Sequence, residues 1–292
     1  MKKSFARCLG IANRNIERLL VYAIGPVKAE RALQTIDFPS FLNDWESGSI
    51  TRSELAMALQ VVLFDDLLMD SIEGRSALLE LVKKGKRIFL HHSCLHTVRA
   101  RLNGALPLRE TAITRIIGSL GYRFEGTAEL DGMGVMKQMY SHADQPEALP
   151  GFLIGELLPD RFSSAFQRVV TRVVASSADP ITPLCVQHLC ELEREGVLPL
   201  GIAEHVLLLI VGAFRRRHQI ASDRDYGLLA LESVEMEFVA RTGNAVSSFV
   251  GSVTEVDGKL GGSFAPSMCG NNSRCAFTRH KSFVSALFDD KV

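Results

Sequence analysis

Apolar residues near the start of the chain recur at helical spacing: Ile16, Leu19, Leu20 and Ala23 before the Gly25-Pro26 break, then Leu55, Leu59, Val62 and Leu63. Separations of three and four line one side of a helix, so residues 5–83 read as helical, with caps for the second helix between Ser49 and Ser53. Asp65, Asp66 and Asp70 in this stretch read as a solvated helix face, because no histidine accompanies them. After Lys83-Lys84-Gly85-Lys86-Arg87 the pattern changes. A strand from Ile88 to Val98 is followed by a helix from Glu110 to Leu120, the turn Gly121-Tyr122, and strands around 123–130, 135–140 and 152–157. This β-α-β-β-β order is the layout of a half-barrel module, whose sheet commonly holds a metal or ligand.

Ser163 is placed to cap a further helix, in which Phe166, Val169, Val170, Val173 and Val174 form a broad apolar stripe. Asp179-Pro180 and Thr182-Pro183 mark a turn. A helical stretch from Leu184 to Arg217 follows, and Arg215-Arg216-Arg217-His218 reads as its cationic end rather than a phosphate site. Another helix, Tyr226 to Arg241, leads through Gly243-Asn244 to a strand from Ala245 to Val256. Four segments result: a helical region 1–85, a β-rich module 86–162, a helical region 163–241 and a second, shorter β-rich part 242–292. The fold class is α+β.

The strand His91-His92-Ser93-Cys94-Leu95-His96-Thr97 carries the densest chemistry. Alternation puts His92, Cys94 and His96 on one face and His91 on the other. Positions four apart in a strand are separated by roughly 13 Å, so His92 and His96 cannot bind one ion together and need different jobs. Imidazole is the commonest protein metal ligand, although a lone histidine in an apolar strand is more often a hydrogen-bonded core residue.

Composition narrows the partners. The chain has 292 residues, 47% of them hydrophobic, enough for a large core. Lys plus Arg and Asp plus Glu are both 33, so no global field draws it to nucleic acid or an anionic membrane, and small molecules or proteins are the expected partners. Arg14, Glu17 and Arg18 interrupt what would be the apolar part of a secretory signal. The uncharged run Val206 to Phe214 is far shorter than the ~20 residues a spanning helix needs. The six cysteines show no C-x-x-C pair and read as reduced thiols of a cytoplasmic protein, with a Cys269–Cys275 loop disulfide conceivable only in an oxidising compartment.

Three stretches give the chain a resemblance: His92-Ser93-Cys94-Leu95-His96-Thr97; Leu120-Gly121-Tyr122 with Gly126; and Leu149-Pro150-Gly151-Phe152-Leu153-Ile154-Gly155-Glu156-Leu157. Residues 88–285 resemble the 2-oxoadipate dioxygenase/decarboxylase family, also called hydroxyglutarate synthases. The resemblance implies a vicinal-oxygen-chelate-like half-barrel β-sheet surrounded by helices. It also implies an Fe(II) held by two His and one Glu, and O2-dependent conversion of a 2-oxo dicarboxylic acid to a 2-hydroxy acid and CO2, so that a small 2-oxo acid is the substrate expected for this chain. Two imidazoles and a carboxylate on one side of iron leave positions for a chelating 2-oxo acid and for O2.

His92 falls on the family's first metal ligand. Where the family has a substrate-gripping Arg four residues later, this chain has His96, so His96 and Arg99 are expected to face the substrate carboxylate, with His96 also the catalytic candidate. The second family histidine aligns with Ser248 in Gly243-Asn244-Ala245-Val246-Ser247-Ser248. The family's third ligand, a Glu, has no clear counterpart, and Glu156, His142 and His280 are the candidates to rebuild the centre. Glu156 is expected on the metal with His92. A relative without activity that keeps the pocket to bind a ligand or a partner protein is the alternative. A metal-free enzyme with His92 and His96 as acid and base is the third reading.

Overall fold

The structure is a computed structural model that describes residues 14–43, 48–69, 72–130, 134–254 and 260–264. His280, Cys269 and Cys275 lie outside the described residues, as does Asp70.

The helical region opens with α1 (Arg14–Ile24) and α2 (Pro26–Thr35), then the short strand β1 (Ser49–Thr51), α3 (Arg52–Met69) and α4 (Ile72–Lys83). Thr51 and Glu54 start α3 as a reciprocal capping pair: Thr51 Oγ1 accepts from the Glu54 amide at 3.2 Å, and Glu54 Oε2 from the Thr51 amide at 2.8 Å. Helix α3 is apolar nearly all round, and it is buried nearly all round. Asp65 therefore departs from the expected solvated face: it is buried, and it is neutralised by Lys28 at 2.9 Å and by Arg31, both on α2. Asp66 pairs with Arg215.

One mixed sheet forms the centre. Its strands are β2 (Arg87–Val98), β3 (Tyr122–Leu130), β4 (Val135–His142), β5 (Gly151–Leu157), β7 (Val246–Thr254) and β8 (Leu260–Phe264), in the spatial order β3-β4-β5-β2-β7-β8. Strand β2 runs parallel to β5 and antiparallel to β7, so the histidine strand sits inside the sheet. The parallel pairing requires a crossover, and α5 (Thr111–Ser119) lies within it. The α+β half-barrel sheet surrounded by helices is thus the architecture observed.

The sheet separates two cores. On one face Ile88, Leu90, Leu95, Phe152, Ile154 and Phe249 pack with α3, α5 and α8 (Leu200–Ala213), as in the edge-on contact of Phe64 with Phe249, whose ring centroids are 5.2 Å apart. This is the helical-layer face. On the other, Val98, Val135 and Leu157 meet α6 (Ser164–Val174), α9 (Asp223–Glu232) and α10 (Val234–Thr242). Ser163 caps α6 by accepting from the Phe166 amide at 3.2 Å, and the stripe from Phe166 to Val174 is what α6 buries.

Two helices expected as single rods are broken. The stretch from Leu184 onward is α7 (Pro183–Glu195), the strand β6 (Val197–Pro199) and then α8. Gly196 ends α7 in the left-handed region at φ 74, and β6 leaves the helix path to pair with β1. Ser233 divides α9 from α10, its extended backbone capping the second while its hydroxyl accepts from the Met236 amide. Among the described residues no helix is long and apolar enough to cross a membrane, and Cys94, Cys185 and Cys190 are in no disulfide.

Candidate functional site

Strand pairing fixes which groups share a face. His92 pairs with Gly151 and Val250, Cys94 with Leu153 and Ser248, and His96 with Gly155, which itself pairs with Lys137 on β4. Paired residues project to the same side of a sheet, so His92, Cys94, His96, Ser248 and Lys137 all face away from the helical layer. Phe238 of α10 stands edge-on to the His96 ring, at 6.4 Å between centroids.

His91 was expected on the opposite face. A bulge between Leu90 and His92, where two steps of β2 match one step of β7, turns it to the same side. Its Nε2 reaches Ser252 Oγ at 3.0 Å, and Ser252 shares a face with Val250. Two adjacent imidazoles are therefore delivered together. A second bulge, in β7 at Ser247, lets that hydroxyl donate to the Cys94 carbonyl at 3.1 Å.

Burial makes these rings neutral. It lowers His92 to about 4, with His91 adding a smaller push, and lowers His96 to about 3, with the Lys137 charge adding to it. His91 is lowered by burial as well. The buried His92 Nδ1 has no hydrogen-bond partner among the described residues, and neither has Ser248 Oγ. An orphaned, unprotonated imidazole nitrogen suits a metal ion or a hydrogen-bonding ligand.

Glu156 corrects the expected ligand set. It pairs in register with Thr97, one residue beyond His96, so its carboxylate projects to the helical-layer face, opposite His92. There Arg99 Nε donates to Glu156 Oε2 at 2.8 Å, with a second contact from Nη2. Burial raises the Glu156 carboxyl above its ordinary range, Arg99 pulls it back, and nearby Glu110 raises it further. His92 and Glu156 cannot share an ion, and Arg99 does not stand beside His96. His142 is also on the helical-layer face, edge-on to Tyr122 with ring centroids 5.3 Å apart. Among the described residues no three His, Cys, Asp or Glu gather to hold a metal.

Lys137 went unremarked in the sequence, although the signal was there: in Val135-Met136-Lys137-Gln138-Met139 the lysine occupies an inward position of an alternating strand. A surface hollow of about 670 Å³ is lined by Arg52, Glu54, Asp144 and Glu193 and by none of the histidines. Its inner polar groups are already paired, Arg52 with Asp144 and Glu54 with Thr51 and Asn15, so the histidine face is the better candidate.

The architecture and sequence have solved counterparts. A protein from Ralstonia eutropha JMP134 ascribed to the glyoxalase superfamily is 30% identical, with 87% of this chain and 92% of that one covered and a TM-score of 0.76. Hydroxyglutarate synthase of Pseudomonas putida, solved with 2-oxoadipate, is 13% identical over 73% of this chain and 52% of that one, at a TM-score of 0.49. The Oryza sativa hydroxyglutarate synthase, also with 2-oxoadipate, is 12% identical over 80% and 81%, at 0.49. The last two likenesses are too distant to bear on activity. No family model and no curated protein matches the sequence.

Proposed function

The chain belongs to the glyoxalase superfamily, and from that premise we propose that it is a metal-dependent enzyme acting on a small 2-oxo acid at the histidine face of its sheet. The observation that carries the reading is His92: a neutral, half-buried imidazole whose buried Nδ1 lacks a partner among the described residues. Iron(II), the ion the sequence motifs imply, would take this ring as a ligand and, once bound, supply positions where a 2-oxo acid can chelate beside O2. Glu156 has no part in that set.

The protein's own groups contribute the rest. His96 is fully buried and neutral, and could accept or pass a proton at a ring nitrogen. Phe238, Leu153, Met139 and Val250 give the site apolar walls that limit water. Dioxygenase/decarboxylase chemistry is the specific activity this arrangement is proposed to serve.

A second reading rests on Ser248. A hydroxyl stands where the sequence motif would have a second metal imidazole, and neutral oxygen is a much poorer iron ligand; the scaffold would then bind a small carboxylate without turning it over. Anaerobic Fe(II) titration of the full chain, followed by oxygen uptake over a series of 2-oxo acids, separates the two. The first reading expects one iron per chain, lost in His92→Ala, and uptake with at least one acid. A chain that binds a 2-oxo acid but neither iron nor oxygen supports the second and overturns the first.

A further inference from the structure

A small cavity of about 20 Å³ lies where β2 leaves the sheet. Segments far apart in sequence meet there: the end of β2, the loop before α5, the turn after α8 and the turn between α10 and β7. Thr97, Arg109, Arg215, Arg217, His218 and Asn244 are among the residues that line it, and among the described residues no acidic side chain and none of His91, His92 and His96 does so. Its size suits a water molecule or a small ion and excludes a ring or a long chain.

The arginines differ in how far their charge is already met. Arg215 shares its charge with Asp66 at 2.9 Å. Arg217 Nε donates to the Gly212 carbonyl at 2.8 Å and so serves the negative end of α8, but its two terminal nitrogens have no acceptor among the described residues. The side chain of Arg109 has neither a hydrogen bond nor an ion pair among them. Arg109 is also the one non-glycine among the described residues held at positive φ, at 61. Strain of this kind gathers where a group is aimed at a ligand. His218 is wall rather than ligand: its Nε2 donates to the Ala240 carbonyl at 2.9 Å, and burial holds the ring toward its neutral form.

Thr97 points to an occupant independently. It is only 2% exposed, and its Oγ1 is buried without a hydrogen-bond partner among the described residues. A hydroxyl left so is costly unless something in the cavity meets it. The Asn244 side chain, also unpartnered among the described residues, adds an amide donor. Two unanswered guanidinium groups, a hydroxyl and an amide thus border one small space.

We propose that this cavity binds a tetrahedral oxyanion of the phosphate class, either as the free ion or as the terminal phosphoryl group of a small ester. Such a group carries about −1.5 to −2 charge near neutral pH, which matches Arg109 and Arg217, and its oxygens accept from the planar guanidinium forks. A carboxylate brings one charge and two oxygens, and leaves one of these donors unanswered. Bound here, the anion ties the converging segments together and stabilises the folded chain by mass action. The proposal stands apart from the reading of the histidine face.

Calorimetric titration of the full chain with inorganic phosphate, at an ionic strength held constant with sodium chloride, tests it; methyl phosphate and acetate are the comparison ligands. Wild type is expected to bind one phosphate per chain, to gain thermal stability as it does so, and to bind acetate about 10-fold or more weakly. Arg109→Gly removes the side chain and suits the positive φ, so it should fold as well as wild type while binding phosphate about 10-fold or more weakly, the size of one charge-assisted contact. Thr97→Val should weaken phosphate less, without lowering the stability of the phosphate-free protein, because the lost hydroxyl had no partner. Methyl phosphate bound as well as phosphate assigns the site to an esterified group, and phosphate bound alone assigns it to the free ion; both uphold the proposal. Absence of saturable phosphate binding, acetate bound as tightly as phosphate, or an Arg109→Gly variant that binds like wild type overturns it.

Discussion

The ring of His92 lies against Gly151 on the neighbouring strand, and the missing side chain there is what admits it. A Cβ at residue 151 would stand 2.9 Å from His92 Cδ2 and 2.8 Å from the Tyr140 carbonyl oxygen, and the backbone oxygen cannot swing away. Gly151→Ala is therefore expected to displace the imidazole and to cost about 1–3 kcal/mol, as overpacking does. Thermal unfolding and Fe(II) titration check it. Unchanged stability together with unchanged iron affinity would show that the ring does not depend on this glycine.

Because the sheet stands between His92 and Glu156, their substitutions should separate cleanly. His92→Ala is expected to abolish iron binding with little loss of fold. Glu156→Gln should leave iron binding intact while lowering stability by about 1–2 kcal/mol, less than a fully buried pair because Arg99 keeps some access to water. Loss of iron in Glu156→Gln would return that carboxylate to the metal centre.

Acid should destabilise the protein through two imidazoles, the half-buried His92 and the buried His96. Their folded-state values, about 4 for His92 and about 3 for His96, lie below the ordinary 6.5. The unfolded chain therefore binds more protons below pH ~6.5, and stability falls progressively from there toward pH ~4 and pH ~3. At 1.36 kcal/mol per unit, His92 alone contributes on the order of 3 kcal/mol of this loss. Urea unfolding between pH 7 and 4 measures it, and His92→Gln and His96→Gln should each flatten the curve.

Ser248→His tests the position that the sequence motif assigns to a second imidazole. Its Cα partner is Cys94, between His92 and His96 along β2, and its buried hydroxyl has no partner among the described residues to lose. The variant is expected to bind Fe(II) several-fold more tightly, at a packing cost of about 1–3 kcal/mol. Equal or weaker iron binding in a folded variant would argue that residue 248 does not look toward the metal.

Much of this architecture was legible in the chain. The β-α-β-β-β order, the Ser163 cap and the valine stripe of α6 follow from local periodicity, which is what sequence pattern reports. The face occupied by Glu156 was not legible, because β5 is buried on both sides and its sequence shows no alternation to reveal which way each residue points. Its register against β2 is set by a parallel crossover between segments far apart in sequence. The bulge at His91 was hidden for a related reason: it exists only as a mismatch between β2 and β7. Asp65 was misread because the cations that neutralise it come from another helix.

That extra residue in β2 also puts the strand's two halves out of phase. Ile88 and Leu90 feed the helical layer on even positions, whereas Leu95 does so on an odd one, with His91 absorbing the change. A chain shortened by one residue here could seat its aliphatic anchors on either side of the deletion, but not both at once. The doublet of imidazoles is thus tied to folding itself, and drift in strand length at this point would be resisted even in a protein that had lost every catalytic duty.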